Sequence, residues 1–228
     1  MRRRLLAATT VGAAVAVLAA CGDMHPGAAV VINDGDYRVS MAEIDDLTAA
    51  LCDATPLISE AQGQPGQLSE GIEARQYVTG LMIQSYLSPL AGAEAGAGAP
   101  TPNQTAVTPD DHADITDQMD EESADDFVRL LEIGTEVAAW QSAIGAGLPN
   151  ANPSNATQLG QQYVFDFAGD FDIDVDPRLG LDGDDLQAQP PSRSGSLSVA
   201  QSSLATSRDD ETQRADVAEA LPPTQTCG

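Results

Sequence analysis

The amphipathic segment between Ser123 and Ile144 constrains the fold more than any other part of the sequence. Its apolar side chains recur every three or four residues, while Glu132 and Glu136 fall on the other side. The apolar stripe consists of Leu130, Ile133, Val137, Trp140 and Ile144, with Phe127, Leu131 and Ala138 beside it. This period predicts a helix with one face buried. A helix of this length must bury that face against other elements, so the sequence predicts a mainly α fold.

Four further segments have helical patterns. Ser40 and Glu43 form a capping-box sequence for a helix over about 41–52. A second helix is predicted over about 70–88, ended by Ser88-Pro89, and a third begins at Thr108. A short helix follows, capped near Ser154 or Asn155, and ends at Gly169. The second is apolar on most sides, which predicts a central, buried position. Its apolar residues are Ile72, Tyr77, Val78, Leu81, Met82, Ile83, Tyr86 and Leu87.

Strand patterns lie at both ends of this helical region. Residues 28–32 are apolar, Asn33-Asp34-Gly35 has turn chemistry, and a brief second strand follows to residue 39. Between Asp170 and Asp176, acidic and apolar residues alternate strictly, which predicts a strand with one buried and one solvated face. The prediction is therefore a bundle of four to five helices with a small β element.

The N-terminal residues have the pattern of a bacterial lipoprotein signal peptide. Arginines 2–4 precede an apolar run over 5–18, and Leu18-Ala19-Ala20 leads directly to Cys21. The run is too short for an ordinary membrane span. We expect cleavage after residue 20 and acylation of Cys21, with diacylglycerol on its sulfur and fatty acids such as palmitate. This would anchor the protein at the extracytoplasmic face of the cell membrane. The alternative is an ordinary secretory signal with a cysteine nearby.

The rest of the chain divides by composition. A tether is predicted over 21–28 and a folded domain over 29–180. Within the domain, the Ala-, Gly- and Pro-rich stretch 91–107 is predicted to be a flexible linker. Residues 181–228 are rich in Ser, Gln, Asp and Pro and are expected to be disordered or loosely held.

The charge of the chain excludes one class of function. The net charge is −25, and removing residues 1–20 leaves seven arginines against thirty-five acidic residues, a net charge of −28. Nucleic-acid binding depends on basic side chains and is excluded. Anionic lipids are repelled as well, so membrane attachment must come from the acyl chains. The absence of lysine and the abundance of Ala and Gly are typical of a high-GC, actinobacterial genome.

Cys52 and Cys227 remain once Cys21 carries lipid. An even pair in an oxidising compartment suggests a disulfide between them. The alternative is a buried free thiol at Cys52 and an unpaired thiol near the C-terminus.

No residue pattern in the sequence indicates catalysis or a cofactor. Counted from Asp172 as an EF-hand loop, the sixth position is Pro177 and the twelfth is Gly183, where calcium loops need glycine and glutamate. The only histidines, His25 and His112, have no second ligand at metal-binding spacing. No nucleophile elbow or nucleotide motif is present. We therefore expect a protein without enzymatic activity, metal or cofactor.

Two segments carry a family resemblance. Val30-Val31-Ile32-Asn33-Asp34-Gly35 and the helix start after it resemble the opening of the SurA/PrsA/trigger-factor chaperone domain. The segment Asp174 to Gly180, reading Asp-Val-Asp-Pro-Arg-Leu-Gly, is similar to the closing strand of actinobacterial lipoproteins of the SurA N-terminal family. There, an asparagine is usual in place of Asp176 and an aromatic residue in place of Leu179. The resemblance implies pairing of a strand at about 29–32 with one at about 171–175. The family usually carries a parvulin-type isomerase domain, and we expect none here because the closing strand follows the long helix within about thirty residues.

The resemblance also implies a function. Such a protein would hold extended apolar segments of exported polypeptides between its helices without ATP. Tyr86 and Trp140 are the candidate client-binding residues, and the alternative for both is core packing. A second hypothesis is an adaptor lipoprotein that docks to a cell-envelope complex. A solute receptor is a third hypothesis, which the small size and the missing α/β repeats disfavour.

Overall fold

The computed structural model describes residues 27–63, 69–181, 183 and 226–227. The signal peptide, Cys21 and most of the predicted tail lie outside these residues. The elements are β1 (Ala28–Ile32), β2 (Tyr37–Ser40), α1 (Met41–Ala61), β3 (Ser69–Glu70), α2 (Gly71–Ala95), α3 (Pro102–Thr105), α4 (Ala113–Thr116), α5 (Glu121–Ala146), α6 (Ala156–Ala168), β4 (Ile173–Val175) and β5 (Thr226–Cys227).

A three-stranded antiparallel sheet joins the two ends of the domain. Its strand order is β2-β1-β4, and Val31 of β1 stands opposite Arg38 on one side and Asp174 on the other. The hairpin between β1 and β2 turns through Asn33, Asp34 and Gly35, all with positive φ. Gly35, at φ 114°, occupies a conformation that only glycine adopts readily. The predicted fold class is confirmed, including the pairing of the first and last strands of the domain.

The helices form a bundle around α2, which packs against α1, α5 and α6. The main core combines one face of the sheet with these helices, and its largest fully buried side chains include Ile32, Ile44, Leu47, Ile83, Leu87 and Ile144. A smaller core lies between the second half of α1, α4 and the start of α5 and contains Ala50, Ala54, Ile115 and Phe127. Burial of these apolar surfaces is the main stabilising contribution to the fold.

Two helices extend beyond their predicted ends. α1 continues past residue 52 to Ala61 with Pro56 inside it, and α2 continues past Ser88 to Ala95 with Pro89 inside it. Each proline removes one backbone hydrogen bond, but packing outweighs that loss. Ala91 and Gly92 are buried, so the predicted linker start at residue 91 is wrong.

The remaining helices differ less from the prediction. The segment opened by Thr108 forms a 3-10 turn and the four-residue α4 instead of one continuous helix. α5 begins at Glu121, capped by Asp120, and extends two residues past Ile144. α6 ends at Ala168, with Gly169 at its C-cap as predicted.

α5 and α6 approach each other closely at two glycines. A Cβ added to Gly145 would overlap the carbonyl group of Ala156, and one added to Gly160 would overlap that of Gln141. Both glycines are buried. The absence of a side chain at these positions therefore sets the distance between the two helix backbones.

Candidate functional site

The chain enters the fold beside the first turn of α1. The carbonyl of Gly27 accepts a hydrogen bond of 2.9 Å from the Met41 amide. The Asp176 amide donates to the Ala29 carbonyl at 2.8 Å, so the end of β4 lies at the same place. Gly27, the first turn of α1 and the turn Pro177–Leu179 together form what we call the tether surface. Cys21 lies six residues before Gly27 and outside the described residues.

Three ion pairs surround the tether surface. Arg129 of α5 donates to Glu43 of α1. Arg75 of α2 lies 2.9 Å from Asp45 Oδ1, a charge contact in which no N–H is aligned for a hydrogen bond. Ser40 caps α1 by accepting from the Glu43 amide, whereas the Glu43 carboxylate points to Arg129. The predicted reciprocal capping box is therefore only half formed.

The third pair joins Asp176 and Arg178. Arg178 Nη2 and Nε donate to Asp176 Oδ2 and Oδ1 at 2.6 and 3.0 Å, and the Arg178 amide adds a bond of 2.9 Å. The side-chain hydrogen bond from Arg178 is the main reason that the pKa of Asp176 is lowered. Asp176 is buried and does not lie on a solvated strand face as predicted, whereas Asp172 and Asp174 are exposed.

Cys52 and Cys227 are joined by a disulfide in the structure. Cys227 belongs to β5, which pairs with β3 through only two residue pairs. The C-terminal end of the chain is thus held against α1 and the start of α2. The bridge spans 175 residues of sequence.

Tyr86 lies on the side of α2 that faces the sheet. Its ring stacks on Tyr37 of β2, with 4.7 Å between ring centroids. The Tyr37 hydroxyl donates to the carbonyl of Met82 at 3.2 Å. The pKa of the Tyr37 hydroxyl is raised, mainly because the group is buried. A hydrogen bond with Ser85 acts in the opposite direction and offsets part of this effect.

Trp140 lies on a different side of α2. It packs against Gly92, where an added Cβ would come within 2.5 Å of the indole ring. Gly92 and Tyr86 are six residues apart, which places them about 120° apart around the helix. The structure therefore does not bring Tyr86 and Trp140 together into one surface, and each has a packing partner inside the fold.

The exposed aromatic residue of α2 is Tyr77, which is 58% exposed although its helix was predicted to be buried on most sides. Leu90 is 39% exposed. Glu73 lies one helical turn before Tyr77 and is exposed, so this acidic neighbour is the sequence indication that Tyr77 is on an exposed side. Tyr77 and Leu90 are thirteen residues apart and point to different sides of the helix.

Two features are absent from residues 27–63, 69–181, 183 and 226–227. No group of three His, Cys, Asp or Glu side chains there is arranged to hold a metal ion. None of the helices in that part of the chain is long and apolar enough to cross a membrane. The chain matches no family model, no curated protein and no solved structure.

Proposed function

We propose that this chain is a membrane-anchored extracytoplasmic lipoprotein that binds segments of exported polypeptides without catalysis. The observation that supports the proposal most is the β1–β4 pair, with a helical bundle inserted between its strands. This is the arrangement implied by the sequence resemblance to the SurA-type chaperone domain. The lipobox ending at Cys21 supplies the proposed location.

The exposed ring of Tyr77 is the proposed contact with a polypeptide client. Tyrosine offers a large apolar face with a polar edge, which suits binding to segments of varied sequence. Tyr86 and Trp140 already contact Tyr37 and Gly92, so a client would have to displace those contacts to reach them. More than half of the surface of Tyr77 is exposed, so a client could reach it without displacing a contact inside the fold.

The adaptor hypothesis is favoured by the separation of the exposed apolar residues. Tyr77 and Leu90 are the large hydrophobic side chains exposed in the described residues, and they do not share a side of α2. Together they form no continuous apolar groove for an extended segment. Separate apolar contacts on an acidic surface suit one specific, folded partner.

An aggregation assay tests the first hypothesis. The mature chain with Cys21→Ser, at equimolar ratio, is expected to slow the aggregation of a reduced secreted protein, and Tyr77→Ala is expected to weaken this effect. Leu90→Ala is the matched control, since it also truncates an exposed apolar residue of α2. No suppression by the mature chain, together with one stoichiometric partner in a crosslinked pull-down, would establish the adaptor instead.

The anchor is tested separately. The intact protein from producing cells is expected to carry diacylglycerol and acyl mass on Cys21, and Cys21→Ser is expected to leave the membrane fraction. An unmodified Cys21 in the membrane-bound protein would contradict the proposed location.

A further inference from the structure

The basic side chains of the described residues are unevenly placed. The chain has no lysine, and the described residues contain four arginines: Arg38, Arg75, Arg129 and Arg178. Three of these surround the tether surface, with side chains 47%, 50% and 72% exposed for Arg75, Arg129 and Arg178. Arg38 is the exception, because its guanidinium lies beside Gly35 at the hairpin.

The three arginines are arranged around the first turns of α1. The pKa of Arg178 is raised first by its hydrogen bond to Asp176 and also by the charge of Asp45, the partner of Arg75. Gln76, next to Arg75, donates to the Gly180 carbonyl at 3.1 Å, which fixes α2 beside the turn that carries Arg178. Glu43, the partner of Arg129, is two residues before Asp45, so Arg129 and Arg75 lie on opposite sides of α1 at about the same level along its axis. Three arginines thus offset the three carboxylates of these pairs, and the exposed Asp46 and Glu73 lie on the same turns of α1 and α2.

The acidic side chains are concentrated elsewhere. The segment from Asp110 to Asp126 contains nine acidic residues and no arginine. It packs along the second half of α1, where Ser123 donates to Asp53 at 3.0 Å. Glu43 and Asp53 are ten residues apart on α1, a distance of about 15 Å along the helix axis. This exceeds the Debye length of about 8–10 Å at physiological salt.

The tether is short, so the uneven distribution of arginines and acidic residues affects how the domain is oriented at the membrane. Six residues from Cys21 to Gly27 span at most about 21 Å. A domain of strong net negative charge is therefore held within a few Debye lengths of the headgroups, where an anionic surface repels its acidic residues. The orientation with the lowest electrostatic energy places the arginines nearest the bilayer and the segment 110–126 farthest from it.

We propose that the tether surface faces anionic phospholipid headgroups through Arg75, Arg129 and Arg178, and that the segment 110–126 is turned away from the bilayer. This inference rests on the proposed lipid anchor. It assigns the anchored domain a fixed orientation, in which α1 leads from the membrane at its first turn to the acidic face at its second half.

Energy transfer to headgroup acceptors tests the orientation. The mature chain is coupled through the Cys21 thiol to a maleimide lipid, and a fluorescent amino acid is placed at Ala42 or Gln62. Both positions are exposed and lie about 30 Å apart along α1. On vesicles of phosphatidylglycerol and phosphatidylcholine, transfer from position 42 is expected to exceed transfer from position 62. The ratio of transfer from position 42 to transfer from position 62 is expected to be larger on these vesicles than on phosphatidylcholine alone. In about 0.5 M salt, the ratio on the anionic vesicles is expected to approach the phosphatidylcholine value.

Two charge variants distinguish the effect of the three arginines from the effect of net charge on the transfer ratio. In a triple variant, the three arginines are replaced by glutamine (Arg75→Gln, Arg129→Gln and Arg178→Gln). This variant is expected to reduce the transfer ratio on anionic vesicles to the phosphatidylcholine value. Combined Asn103→Asp, Gln158→Glu and Gln161→Glu changes the net charge equally at exposed positions on α3 and α6 and is expected to keep the ratio.

The outcomes distinguish this inference from the proposed anchor. The same ratio on both vesicle types for the unmodified domain would overturn the orientation, and this comparison stands even if the arginine variant unfolds. An equal loss in both charge variants would also overturn it. Because the lipid is attached chemically, failure of the cell to acylate Cys21 would refute the anchor without affecting this measurement.

Discussion

Replacing Gly160 by alanine is expected to force α5 and α6 apart. An added Cβ would lie 2.5 Å from the Gln141 carbonyl carbon and 2.9 Å from its Cα, in addition to overlapping the oxygen. The carbonyl oxygen is the closest atom, and carbon atoms in good contact with their neighbours are about 3.5–4.0 Å away, so the helices must separate by more than about 1 Å. The neighbouring atoms are backbone and cannot rotate away. We expect a loss of about 3 kcal/mol, the upper end of the usual range for overpacking.

Gly134→Ala is the matched control within α5. Its Cβ would meet only Leu81 Cδ2, at 3.9 Å. Alanine is favoured over glycine in a helix by about 1 kcal/mol, so this variant is expected to be slightly more stable. Both variants add one methyl group to a helical glycine, and only the surroundings differ.

Urea unfolding followed by circular dichroism measures both changes. With a slope of about 2 kcal/mol/M, the midpoint of Gly160→Ala should fall by about 1.5 M while that of Gly134→Ala rises. If the two variants unfold within about 0.5 kcal/mol of each other, the contact between α5 and α6 is not as close as described.

Three further predictions concern the C-terminal bridge, the buried carboxylate and the tryptophan. A non-reduced peptide map is expected to link Cys52 to Cys227, and two free thiols in the folded protein would contradict the pairing. Reduction of the disulfide should lower the free energy of unfolding by up to about 5 kcal/mol in the chain-entropy model. Because the pKa of Asp176 is lowered on folding, its stabilisation is complete above the ordinary value of 3.8 and is lost as pH falls below that value. Thermal melts should therefore show Asp176→Asn less stable than the unmodified protein at pH 7 and equal to it in strong acid. Trp140→Ala should destabilise the fold by about 3 kcal/mol, measured by urea unfolding, because it removes the ring packed on α2.

Controls for these variants lie close by in the chain. Asp174→Asn changes the same type of side chain at an exposed position and should leave the melting temperature nearly unchanged at both pH values. Tyr77→Ala truncates an exposed aromatic residue and should change stability by less than about 0.5 kcal/mol. A loss at Tyr77 as large as that at Trp140 would show that burial does not account for the difference.

The strands and the main helices could be predicted because their patterns are local. The Asn-Asp-Gly turn, the alternation around Ile173 and the stripe of α5 each specify one element without reference to the rest of the chain. Helix ends were less predictable. Pro56 and Pro89 each indicate a helix end locally, but both helices continue because residues after the proline pack against the fold. Leu57 and Ile58 contact the smaller core, and Ala91 and Gly92 are buried.

The surroundings of individual side chains required the structure. Nothing near Glu43 in the sequence indicates that its carboxylate pairs with Arg129, eighty-six residues later. Trp140 and Tyr86 were identified as large apolar residues, but their partners Gly92 and Tyr37 come from distant segments. The sequence places Tyr77 in the core because apolar residues surround most of α2, and Glu73, one turn earlier, is the local indication that Tyr77 is exposed.

The pairing of β1 with β4 also determines when the domain can fold. β1 is complete at Ile32, but its partner begins at Ile173, so the central strand of the sheet lacks one neighbour until most of the chain is present. Contacts between such distant segments form late, because the long intervening loop must close first. Under the export proposed above, the β1–β2 hairpin could form early, because both strands lie before residue 41. The three-stranded sheet and the core beneath it would be completed only after residue 175 has crossed the membrane.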